Sequence, residues 1–108
     1  MAAGDVIIKG TSGLSILGKR VVWGTVQLDG ANPTPVDLST YLRSVDVAQV
    51  SLNQSATPGD DPSWLSYDVS GATLNVYAWK NTAGTDPTLV ASTINTAIVG
   101  FHAFGQSK

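Results

Sequence analysis

Apolar and polar side chains alternate with a period of two along most of this chain, the period of a β-strand whose two faces meet different surroundings. In RVVWGTVQL (20–28), Val22, Val26 and Leu28 fall on one face, and Val21, Trp23 and Thr25 on the other. Gly24 interrupts the first face, as a strand glycine does at a bulge or a close backbone approach. VDVAQVSLN (45–53) sets Val45, Val47 and Gln49 against Ala48, Val50 and Leu52. SWLSYDV (63–69) places Leu65, Tyr67 and Val69 on one side. In ATLNVYAWK (72–80), Leu74, Val76 and Ala78 alternate with Asn75, Tyr77 and Trp79. DVIIK (5–9), TLVAS (88–92) and TAIVGFHAF (96–104) read as further strands, and Ser70–Gly71 as the tight connection of a hairpin.

The segments between are built from turn formers. DGANPTP (29–35) is a turn-rich connection. DLSTYLRS (37–44) is the one stretch that reads as a short helical turn, with Asp37 or Ser39 as its cap. TPGDDPSW (57–64) and TAGTDPTL (82–89) share a Thr-x-Gly-x-Asp-Pro form, and Asp before Pro favours a turn that feeds an extended segment. Together these signals predict an all-β, single-domain chain of about seven strands, a β-sandwich or jelly-roll-like fold. Residues 1–19 supply an N-terminal strand or arm, and residues 20–108 the sandwich domain.

Composition narrows the function classes. At 108 residues and 43% hydrophobic, the chain supports one core. Only 13% of residues are charged, and all eight acidic side chains are Asp. The six basic residues are scattered and the net charge is −2, so no electrostatic footprint for nucleic acid is present. The absence of cysteine excludes disulfides and thiolate metal sites. The N-terminus lacks a secretory pattern, and no run approaches the ~18 apolar residues of a membrane span.

Candidate chemistry is thin. Asp60 and Asp61 are adjacent on a turn, too few oxygens for a calcium loop and too close for a glycosidase pair. His102 is the single histidine; it shares a strand face with Gly100 and Phe104 and reads as a packing or interface residue. No nucleophile elbow or phosphate loop occurs. Asn53 opens a formal Asn-x-Ser glycosylation sequon that reads as a polar turn. The expectation is a protein that is not an enzyme and carries no metal or other cofactor.

The aromatics remain. Trp23, Tyr77 and Trp79 occupy the second faces of strong strands, and Trp64 sits beside the acidic loop. Trp23 admits a core role. For Tyr77 and Trp79, with Asn75 between the strand's core positions, three readings stand: a subunit or partner interface, ordinary core, or a platform on which a sugar ring stacks. Trp23, Trp64, Asn75, Tyr77 and Trp79 are therefore the candidate interface residues.

The strings GKRVVWGTVQLDGANPTPVDLSTYLRSVDVAQVSL (18–52), GATLNVYAWKNTAGTDPTLVAST (71–93) and the terminal FHAFG (101–105) resemble small β-rich structural proteins from the virion modules of tailed bacteriophages. The resemblance spans about residues 18–105 and carries no catalytic signature. It implies a component of the virion. The favoured form is a capsid decoration, or cement, protein on the head surface, bound as a homotrimer to itself and to the major capsid protein, without nucleic acid or membrane. The alternative it implies is a tail-fibre or receptor-binding tip with a lectin-like carbohydrate role, because GFHAFG is loosely similar to the last strand of H-type lectin-like domains.

Overall fold

A computed structural model of the chain describes residues 2–13, 18–53, 62, 64–83 and 86–108. The described residues form eight strands: β1 (Val6–Gly13), β2 (Lys19–Gln27), β3 (Thr34–Asp37), β4 (Leu42–Leu52), β5 (Trp64–Ser70), β6 (Thr73–Ala83), β7 (Asp86–Ala91) and β8 (Ile98–Ser107). They build an all-β sandwich of two antiparallel sheets. The first runs β1-β2-β8-β4. The second is centred on β6, with β5 on one edge and β3 and β7 end to end along the other.

The gap between β3 and β7 is closed by side chain and loop. Ala78 N–H donates to Asn32 Oδ1 at 2.8 Å, and Ala78 C=O accepts from Ser92 N–H at 2.9 Å. Where the edge of β6 lacks a strand partner, its main-chain groups are still satisfied.

The expected core faces meet between the sheets. Val22, Val26, Leu74, Val76 and Ala78 are all buried, together with Val36, Val99, Ala103 and Phe101, the largest fully buried side chain. β1 belongs to the same chain's first sheet: it pairs with β2 on the outer edge, with Val6 and Ile8 packed against the core.

Three sequence expectations change. First, the described residues hold eight strands, because Thr34–Asp37 is extended and pairs with Val76–Thr73. Second, the helical turn expected over 37–44 shrinks to one hydrogen-bonded turn. Leu38 C=O accepts from Tyr41 and Leu42 N–H, Asp37 Oδ1 accepts from Ser39 N–H at 2.9 Å, and β4 begins at Leu42. Third, strict alternation along β4 fails. The register skips between Val45 and Val47, leaving Asp46 as a bulge residue. Val45 and Ala48 are both buried, whereas Val47, grouped with Val45 by alternation, is 50% exposed. The register also shifts between Leu42 and Ser44 of β4, and between Ile8 and Gly10 of β1, at Lys9.

Candidate functional site

The β5–β6 hairpin turns through Gly71 and Ala72, since Ser70 pairs with Thr73. Gly71 adopts a φ of +59°, which glycine accepts without steric cost. This loop fixes the cross-strand partners: Trp64 lies opposite Trp79, Ser66 opposite Tyr77 and Asp68 opposite Asn75. All six side chains lie on the outer face of the second sheet, because Leu65, Tyr67 and Val69 pair with the core-facing residues Ala78, Val76 and Leu74.

The two large rings of β6 lean the same way across β5. Trp79 Nε1 donates to Ser66 Oγ at 2.9 Å, and Tyr77 OH donates to Asp68 Oδ2 at 3.0 Å. Each bond runs to the diagonal neighbour, so the rings stand parallel, with centroids 6.2 Å apart and planes 8° apart. The other carboxylate oxygen of Asp68 accepts from Asn75 Nδ2 at 3.0 Å. The Asp68 bond raises the Tyr77 phenol pKa above its ordinary value, because losing the proton would set two negative oxygens against each other. Tyr77 and Trp79 are half-buried, covered in part by their own hairpin. Trp64 is different: it is 61% exposed at the end of this row.

Four of the five candidate residues, Trp64, Asn75, Tyr77 and Trp79, thus form one surface. Trp23 does not join them. It lies on the outer face of the first sheet, opposite Gly10 of β1 and His102 of β8. Its ring covers Gly10 so closely that a methyl group there would fall 2.2 Å from Cζ2. His102 is exposed on that same outer face. Asp60 and Asp61 lie outside the described residues.

Ser66 and Asp68, which anchor the two rings, were not singled out from the sequence. The alternation of WLSYDVS put both on the face of Trp64, and a loop placed at Gly71–Ala72 sets Ser66 beside Tyr77. The connection expected at Ser70–Gly71 is thus one residue further on, because Ser70 pairs with Thr73; a loop at Ser70–Gly71 would shift every partner by two positions.

The surface carries rings with tied polar tips, one carboxylate and one carboxamide, a donor set suited to burying apolar area against a partner while keeping polar groups paired. Among the described residues no group of three or more His, Cys, Asp or Glu side chains converges to hold a metal ion. Comparison with protein-family models, with curated proteins and with solved structures returned no match.

Proposed function

We propose that this chain is a non-catalytic structural component of a tailed-phage virion, of the capsid-decoration kind. In this reading it binds the head surface as a homotrimer and packs against itself and the major capsid protein through the outer face of its second sheet. The sequence resemblance supplies the setting. The observation that carries the reading is the row of Trp64, Trp79 and Tyr77 on a face that an isolated sandwich would line with polar side chains. Burying a fully exposed aromatic side chain removes ~150–250 Å2 from water at ~25 cal/mol per Å2, before association costs; the half-buried Tyr77 and Trp79 have only part of that area left to bury. Tyr77 and Trp79 are already held by Asp68 and Ser66, so little side-chain freedom remains to be lost on binding. Trp64, still exposed, gains most from being covered.

A second reading is favoured by the parallel rings beside Asp68 and Asn75: a tail-tip domain that stacks a sugar on this face and bonds its hydroxyls. Immunogold labelling of virions that carry the chain separates the two. Label over the head lattice supports decoration. Label confined to the tail tip overturns it and favours the carbohydrate reading.

A further inference from the structure

β4 has a strand partner on one edge only. It pairs with β8 throughout, and no strand pairs with its other edge among the described residues. In an antiparallel ladder, alternate residues turn both N–H and C=O to the same side. Asn53 N–H donates to Ile98 C=O, which sets the phase: Gln49 and Ser51 bond β8, while Ala48, Val50 and Leu52 turn outward. The outward groups nearer the start of β4 are occupied. Val45 N–H donates to Gly71 C=O at 2.8 Å, and Ala48 N–H donates to Tyr67 OH at 3.3 Å. Val50 and Leu52 have no such partner among the described residues.

β5 faces this edge with an open edge of its own. Among the described residues it pairs only with β6, and the two-residue loop makes Ser70 and Thr73 a hydrogen-bonded pair. Leu65, Tyr67 and Val69 therefore direct their main-chain groups away from β6. Between the two edges lies a groove of about 670 Å3, whose walls include the apolar and aromatic Val50, Trp64, Leu65 and Tyr67 and the polar Gln49, Ser51 and His102, and it continues along Leu52.

We propose that this groove takes an extended segment of a second polypeptide, which adds as a strand to β4 at Val50–Leu52. Main-chain donors and acceptors repeating every second residue match the backbone of an extended peptide, and a sugar or an aromatic ligand does not present that repeat. The half-buried Val50, Leu52 and Leu65 call for apolar side chains at alternate positions of the incoming strand. Tyr67 and Gly71 close the start of the edge, which limits pairing to its second half. This site borders the outer face, because Trp64 belongs to both, but the β4 main-chain groups it uses are separate from the Tyr77–Trp79 ring pair.

The probe is a fluorescent, Lys-flanked peptide of alternating Thr and Val, measured by anisotropy and by amide exchange. In the free protein, Val50 and Leu52 amides should exchange faster than Ser51 and Asn53. The peptide should bind saturably and slow both Val50 and Leu52. N-methylating its β4-facing amides, which leaves the side chains intact, should weaken binding on the order of tenfold, as losing a main-chain hydrogen bond does. Val50→Pro removes an outward N–H without touching the β8 ladder and should weaken binding similarly while the fold persists. No saturable binding, or binding that the N-methylated peptide reproduces, overturns the proposal. The N-methyl comparison decides it even if Val50→Pro fails to fold.

Discussion

The phenol of Tyr77 donates a 3.0 Å hydrogen bond to the carboxylate of Asp68, its diagonal neighbour across the β5–β6 hairpin. The bond holds the Tyr77 pKa above the ordinary tyrosine value near 10. A raised folded-state pKa stabilises the fold fully below the unfolded-state value, and that contribution is lost as pH rises through the folded value. In an NMR titration of the three tyrosine rings, Tyr77 should be shifted upward, and Asp68→Asn should reduce the shift. A Tyr77 that titrates at the ordinary value in both proteins would contradict the bond.

Asp37 acts with the opposite sign. Its carboxylate accepts the Ser39 N–H, and the bonds to Ser39, backbone first, hold its pKa below the usual range. That contribution is present above the unfolded-state pKa near 4 and is lost as pH falls through the depressed folded value. Asp37→Asn should melt lower than the parent at neutral pH, with the gap closing in acid. A gap that stays constant down to the acid limit would show that the carboxylate charge plays no part.

Asn32 completes the edge of β6 between β3 and β7. Asn32→Ala leaves the buried Ala78 N–H without its acceptor and should cost about 1–3 kcal/mol in urea unfolding. Asn32→Asp keeps an acceptor and should recover much of the loss. Equal stability for Asn32→Ala and the parent would mean that the gap is satisfied in another way.

Gly10 and Trp23 are coupled by contact. A methyl group at Gly10 would collide with the indole, so Gly10→Ala should displace the Trp23 ring and destabilise by about 1–3 kcal/mol. The Trp23 indole N–H signal should move, and those of Trp64 and Trp79, on the other sheet, should not. An unmoved Trp23 signal would remove the packing argument for that side chain.

The central strands were legible from alternation. Val22 and Val26, and Leu74, Val76 and Ala78, read as core and are core, because these strands sit inside their sheets with one face buried along their length. Alternation fails where the chain slips. The bulge at Asp46 buries Val45 and Ala48 three positions apart and turns Val47 outward, and no local signal in VDVAQ announces it. β3 was hidden in a Pro- and Asn-rich stretch because four residues carry too little period to read. Tyr67 and Val69 point to the core side yet stay 36% and 39% exposed, because β5 is an edge strand. The aromatic face was legible as a set of residues on β6. Its anchors Ser66 and Asp68 depend on hairpin register, which a loop placed one residue away would have changed.

Trp64 is the sharpest test of the assembly reading, because it is 61% exposed and can be removed without opening the core. The decisive measurement is light scattering of the parent chain and Trp64→Ala over a range of concentrations, with circular dichroism recorded on the same samples. The parent mass should lie above that of the monomer, and the variant should keep the same β spectrum while its mass falls toward the monomer. A folded variant with the parent's oligomeric mass, or a parent monomeric at every concentration, would contradict the assembly reading.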